Sequence, residues 1–385
     1  MTFPAINRKT ISFFLSVLLS IVCLGGIFGC TPTNATVIPD QSNYNSKSEY
    51  FLIDWDNDAN SKQEIIDFVR RVTTQGSDFV KVSDRIAVFD NDGTLWTERP
   101  NYFQGDFVEE AKTDSRLAVK KSDKEMEPTL GIDVDGDGTI DVDSEEIKIF
   151  LAAKAIFDGI TTDEYINQAG DFLENTNHND PLFSTEKDYG QRFDAKYVDL
   201  TYKPVIGLVN YLKANGFTVY ICSGGGIDFI RSFAEDAYGI PPEKVIGSSV
   251  KTEYDETAGA GGNLVRQAML AHWNDGKGKP VGIENHIGKR PIIAVGNSGG
   301  DFEMFQYTDT GVNHSLIVLI NHDDCQREYK YNDVPGARDP ETGEPLNESL
   351  DYAQDHHDNW IVASMKDDFK TIFKSNPSRK PPVCQ

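Results

Sequence analysis

Two short stretches of the chain carry the same arrangement of acids, Asp-x-Asp-Gly-Thr: "FDNDGT" at 89–94 and "VDGDGT" at 134–139. Carboxylates two residues apart can serve two chemistries. One acid can attack an electrophile while the other moves a proton. Alternatively, oxygens at alternate positions can wrap a hard cation, with Gly allowing the sharp turn. What stands on either side of each copy separates the two readings.

The first copy follows "IAVF", an apolar run that delivers Asp90 and Asp92 at a strand tip, with Gly93 and Thr94 behind them. Further apolar runs downstream also end in polar groups. "VYICSG" delivers Ser223 ahead of three glycines, and "IAVGN" delivers Asn297, with Asp301 in the turn after it. Lys279 precedes the helix-like "PVGIENHIG". The second copy has acids and glycines where the strand would be. Counted from Asp133, its acids fall at loop positions 1, 3 and 5 (Asp133, Asp135, Asp137), with Gly138 at 6, Thr139 at 7 and Asp141 at 9. This resembles an EF-hand-like or dockerin-like calcium loop. Position 12 is Ser144 in place of a bidentate Glu, and Glu145 and Glu146 come late. Ca²⁺ binding and a solvated acidic turn are the two readings of this loop.

The elements that must position these groups follow a pattern. Ser61 and Glu64 read as a capping box opening a helix with the stripe Ile65, Phe68, Val69, Val72, closed by Gly76. From 101 to 199 there is no strong buried-strand run. Ile147, Phe150, Leu151 and Ile156 predict a helix closed by Gly159. Tyr165, Ile166, Ala169, Phe172 and Leu173 predict another, capped by Thr161 or Thr162. After 200, helix and strand alternate: "KPVIGLVNYLKANG", "FTVYICSG", "GIDFIRSFAEDAYG", "KVIGSS", "RPIIAVGN", "SLIVLINH" and "WIVASM". The fold class is therefore α/β, a doubly wound parallel sheet at 61–100 and 200–385 with a helical cap inserted at 101–199. Ligands of such sheets sit beyond the carboxyl ends of the strands.

In order and in setting, Asp90-x-Asp92-Gly-Thr, Ser223, Lys279 and "GNSGGD" resemble the four motifs of the haloacid-dehalogenase superfamily, most closely its phosphoserine-phosphatase-like branch. The resemblance runs from about 61 to 375. It implies that Asp90 is a nucleophile forming an aspartyl-phosphate and that Asp92 protonates the leaving oxygen and then deprotonates water. It further implies that Ser223 and Lys279 hold the phosphoryl group, and that Mg²⁺ sits on Asp90, the Asp92 carbonyl, Asn297 and Asp301. Asp92 favours phosphate-ester cleavage, since branch members acting on carbon–halogen bonds lack an acid there. Asn297 departs from the pattern, which has an acid at that position. The expectation from sequence is that Asn297→Asp keeps or tightens the metal.

The net charge of -24 argues against nucleic acid as the main partner. Arg8 and Lys9 followed by an apolar Ile11–Phe28 read as an export signal over 1–29. "IFGC" resembles a bacterial lipobox with Cys30 as the lipidated residue, and an uncleaved anchor is the alternative. Thr31 in place of Asp favours the outer membrane by the same resemblance. Residues 30–60 read as a flexible tether. Export permits disulfides, and Cys325–Cys384 is a conceivable pair. The scattered histidines form no zinc pattern. The expected function is an exported, Mg²⁺-dependent hydrolase of a small phosphomonoester. The rivals are an inactive relative binding calcium or a ligand at the cell surface, and a phosphotransferase using the same intermediate.

Overall fold

The computed structural model describes residues 41–113, 145–183, 192–310, 314–331, 348–356 and 358–379. The export signal with Cys30, the loop at 133–141 and Cys384 lie outside the described residues. None of the described helices is long and apolar enough to cross a membrane.

Seven strands form one sheet: β1 (Ile86–Phe89), β2 (Thr218–Gly226), β3 (Val245–Asp255), β4 (Asn263–His272), β5 (Ile293–Gly296), β6 (Leu316–Asn321) and β7 (Trp360–Ser364). Their order is β4-β3-β2-β1-β5-β6-β7. All pairings are parallel except β3 with β4. Short runs such as "IAVF" and "IAVG" are buried along their whole length, as expected of strands covered on both faces. Alternate residues serve the two faces. Ala87 and Phe89 join a core with Ile65, Phe68 and Val205, while Val88 joins Ile283, Met304 and Phe305.

The helices behind these residues are α2 (Asn60–Thr73), α6 (Lys203–Ala214), α9 (Gly278–Ile287) and α10 (Phe302–Thr308). "GIDFIRSFAEDAYG" folds as two short helices, α7 (Ile227–Arg231) and α8 (Ala234–Tyr238), rather than the one predicted. Three more, α3 (Phe103–Thr113), α4 (Glu145–Ile156) and α5 (Thr162–Asn175), lie between β1 and β2 in the chain. Of the two caps offered by the sequence, Thr161 is the one used, and Glu164 completes a capping box with it. The box read at Ser61 does not form: α2 starts from Ala59, and the Ser61 hydroxyl donates instead to Asp368 at 2.8 Å. That helix also stops at Thr73, before Gly76.

The expected tether is shorter than 30–60. Gln41–Phe51 is helix α1, and Leu52 and Trp55 are fully buried. Trp55 packs edge-on against Phe369 at 4.8 Å and donates from Nε1 to the Pro204 carbonyl at 2.8 Å. Burying an indole and a leucine outweighs the polar composition around them. The second departure is the β3–β4 hairpin, whose outer strand pairs with the linker between α4 and α5. Arg266 donates its N–H to the Ile160 carbonyl, and Gly159 donates to the Arg266 carbonyl, both at 2.9 Å. An ion pair between Arg266 and Asp228, and the Arg266 guanidinium 3.9 Å over the Tyr165 ring, reinforce this join.

Candidate active site

Strand register brings the predicted groups together. Phe89 pairs with Ile221 of β2 and with Val295 of β5. Asp90 therefore leaves β1 level with Cys222 and Ser223 on one side and Gly296 and Asn297 on the other. Its N–H still donates to the Val295 carbonyl at 2.8 Å. The carboxylate is buried, and Lys279 is buried beside it. Lys279 Nζ donates to Asp90 Oδ1 at 2.7 Å and to Asp301 Oδ1 at 2.5 Å. Lys279 stands in the first turn of α9, not ahead of it, so a helix fixes its stem.

These three groups set one another's charge. Burial and the neighbouring Asp301 push the Asp90 carboxyl well above its ordinary range, against the pull of Lys279. Burial alone would lower the Lys279 ammonium, but Asp301 and Asp90 outweigh it and hold the group charged, well above its ordinary value. Asp301 Oδ2 accepts from the N–H groups of Asn297 and Ser298, at 3.0 and 3.1 Å. Both oxygens of Asp301 are thus committed to Lys279 and to the turn that carries Asn297.

Asp92 sits differently. Its Oδ1 accepts from Trp96 Nε1 at 2.8 Å. Burial raises its carboxyl to about 6, with Trp96 opposing the shift and Glu98 adding to it. A carboxyl near neutrality can both give and take a proton. Gly93 between the two motifs has φ +74°, and a Cβ there would fall 2.2 Å from Asn297 Nδ2. Any side chain would therefore expel Asn297 from the site. At Gly225, a Cβ would stand 3.4 Å from both Asp92 Oδ2 and Ser223 Oγ. The backbone of the glycine run thus forms the wall opposite Asp92. Ser223 is buried, and its Oγ accepts the Gly225 N–H at 3.1 Å, leaving its proton to donate elsewhere.

Two oxygens converge on one hydroxyl. Thr94 Oγ1 lies 3.0 Å from Asn297 Oδ1 and 3.4 Å from Asp90 Oδ2. A carboxylate, an amide oxygen and the main-chain carbonyl of the same loop are hard donors of the kind Mg²⁺ takes. Among the described residues no group of three or more His, Cys, Asp or Glu side chains is arranged for a metal. A cation here depends on the amide and main-chain oxygens as well as on Asp90.

Behind the site lie buried polar partners that the sequence did not disclose. His322, after β6, approaches the Gly93 carbonyl through Nε2 at 2.7 Å and Glu328 through Nδ1 at 3.2 Å. Glu328, in the irregular segment after β6, also accepts from Thr97 Oγ1 at 2.5 Å and from Tyr202 OH at 2.9 Å. Asn274 donates to the Ser223 carbonyl at 2.9 Å. Each of these is a buried polar residue in an irregular segment, and only a polar residue just past an apolar strand, as His322 is, carried any signal. Cys222 is free, and burial raises its thiol to about 12, which makes it inert core. Cys325 is disulfide-bonded, and its partner is not the free Cys222.

No family model matches the chain, and no curated protein matches it. Several solved structures are similar in shape. A conserved protein of unknown function from Anaerococcus prevotii is 18% identical with a TM-score of 0.42, over 68% of this chain and 86% of its own. A phosphoserine phosphohydrolase-like protein from Francisella tularensis is 17% identical with a TM-score of 0.30, over 62% and 88%. A HAD family hydrolase from Salmonella enterica serovar Typhi is 12% identical with a TM-score of 0.33, over 74% and 88%. At such identity and overlap these likenesses carry no weight for activity, and the chemistry has to be read from the site's own atoms.

Proposed function

We propose that the chain is a phosphatase of the haloacid-dehalogenase type that cleaves a small phosphomonoester through an aspartyl-phosphate. The observation that carries this is the buried Asp90–Lys279–Asp301 arrangement at the end of β1, with Asp92 raised to about 6 two residues on. Asp90 attacks phosphorus through one carboxylate oxygen, and the ester P–O bond breaks. Asp92 gives its proton to the departing oxygen. Asp92 then takes a proton from water as that water attacks phosphorus. The acyl-phosphate P–O bond breaks, freeing inorganic phosphate and restoring Asp90. Lys279 keeps Asp90 from repelling the incoming phosphate, and Ser223 donates to a phosphoryl oxygen. Asp90, the Asp92 carbonyl and the Asn297 amide oxygen would hold Mg²⁺, and Asp301 would act on it through Lys279 and the Asn297 turn. When bound, the cation neutralises phosphate charge.

The leaving group is read where the cap helices meet the core. Gln104, Lys154, Tyr165, Asp228 and Arg266 line a cavity there of only about 10 Å³, room for about one water. Movement of the cap helices over the strand ends would then admit and select the substrate.

We place the protein outside the cytoplasm, lipidated at Cys30 and facing the periplasm, with a calcium loop at 133–141. The apolar N-terminal segment and the disulfide at Cys325 support export, since bridges persist in oxidising compartments. Loss of acyl labelling in Cys30→Ala tests the anchor. A melting temperature indifferent to millimolar Ca²⁺ would remove the loop.

The central test is a phosphate-release screen over phosphomonoesters with Mg²⁺, with EDTA and with Asp90→Asn. Turnover that needs both Mg²⁺ and Asp90 is expected. No turnover of any ester by the wild type would end the enzyme reading.

A further inference from the structure

Position 297 carries an amide where the motif it resembles carries an acid, and the surroundings of that amide give a reason. Asn297 is 2% exposed and Glu98 5%. Asn297 Nδ2 donates to Glu98 Oε1 at 3.4 Å, while Oδ1 accepts from Thr94 Oγ1 at 3.0 Å. An amide has one donating end and one accepting end. Its two neighbours here differ in kind: Glu98 can only accept, and the Thr94 hydroxyl donates. The Arg99 guanidinium approaches Glu98 only to 3.8 Å and lies over the Tyr331 ring, 4.6 Å from its centre. Asn297 is therefore the nearer partner of that carboxylate.

We infer that Glu98 is a positioning residue. It fixes the Asn297 amide so that Oδ1 turns toward Thr94 and Asp90, and it supplies, one group removed, the negative charge that position 297 lacks. An acid at 297 would offer Glu98 no N–H and would set two buried carboxyl groups against each other, in a site that already holds Asp90 and Asp92. The expectation from sequence is that Asn297→Asp keeps or tightens the metal; the pairing adds that the change strains Glu98. The amide and Glu98 form a matched pair, and changing one member calls for changing the other. The role toward a cation rests on the function proposed above, whereas the pairing itself does not.

The test uses the full chain as wild type, E98Q, N297D and E98Q/N297D. Melting temperatures are measured in EDTA, and Mg²⁺ affinity is then measured by titration calorimetry. The N297D variant is expected to melt about 5 °C below wild type without metal, and E98Q/N297D to regain most of that loss. The E98Q variant is expected to bind Mg²⁺ about tenfold more weakly, and E98Q/N297D to bind it as wild type does. A purely structural Glu98 would show the melting rescue with Mg²⁺ affinity unchanged in E98Q. Additive melting shifts in the double variant would overturn the pairing, and unchanged Mg²⁺ affinity in E98Q would overturn the positioning role. A wild type that binds no Mg²⁺ would instead overturn the metal-dependent function, with the metal-free melting data still deciding the pair.

Discussion

Of the buried ion pairs among the described residues, one in the cap and one at the sheet end differ in kind. In the cap, Arg192 and Asp106 are at most 1% exposed. At the sheet end, Lys279 is as deeply buried between Asp90 and Asp301. The Asp106 carboxylate of the cap pair is saturated. Asp106 Oδ1 accepts from Arg192 Nη2 and Asn101 Nδ2, and Oδ2 from Arg192 Nη1 and Tyr197 OH, at 2.6 to 3.2 Å. Asp90 is not saturated. Among the described residues, beyond Lys279 on Oδ1, its Oδ2 meets only the Thr94 hydroxyl at 3.4 Å. A buried ion pair therefore does not mark a reactive site by itself. What marks it is a carboxylate oxygen left without a close donor, in a place where leaving it so is costly.

That contrast can be broken from either side. The largest effect is expected at Asp90. Asp90→Asn should lower turnover by at least about 10⁴-fold while the melting temperature holds or rises, because a like charge beside Asp301 is removed. A fall in stability with turnover kept would make Asp90 a structural acid like Asp106. Next comes Asp106→Asn, which strands the Arg192 charge in the cap. Urea unfolding should show a loss of about 3–5 kcal/mol, with the turnover of the molecules that stay folded little changed.

The third expectation concerns pH. Burial and the Arg192 charge hold the His178 imidazole well below its ordinary value, so it stays neutral when folded. The unfolded chain takes up that proton below about pH 6.5 and the folded chain does not. Stability is therefore full above that pH and falls by about 1.4 kcal/mol per unit as pH drops below it. His178→Asn, whose oxygen can still accept the Phe193 N–H that His178 Nδ1 accepts at 2.9 Å, should flatten unfolding curves between pH 7 and 5. A slope equal to that of wild type would mean that other groups carry it. The smallest effect is expected at Tyr202→Phe, which removes one of the donors to Glu328 and should cost about 1 kcal/mol. A large loss of turnover there would mean that the network behind Gly93 is part of the chemistry.

The sheet-end groups were legible in the sequence and the cap pair was not, for a physical reason. A parallel sheet makes its strand ends converge, so an acid or hydroxyl after each apolar run already implies a meeting place. Asp106 and Arg192 are 86 residues apart with no strand to announce either. Glu98 sits in the irregular segment after β1, and Glu328 acquires its role only through Tyr202, Thr97 and His322. Local devices divide along the same line. The Thr161 cap needs nothing beyond its own turn and was readable, whereas Ser61 is claimed by Asp368 from the far end of the chain. Strand β4 was missed because "NLVRQAMLAH" alternates too weakly; its partner is a hairpin neighbour and its outer side belongs to the cap.

That outer side has one more consequence. A sheet's last strand offers its unpaired main-chain groups to any passing chain and can seed aggregation. Here the cap linker occupies both main-chain groups of Arg266, the N–H through Ile160 and the carbonyl through Gly159. Leu264 and Met269, on the same strand, are 45% and 48% exposed. A cap that swings away from β4 to admit substrate would bare a sticky edge flanked by apolar side chains. Opening of the cap would therefore carry an aggregation cost that grows with how far and how long β4 stays bare.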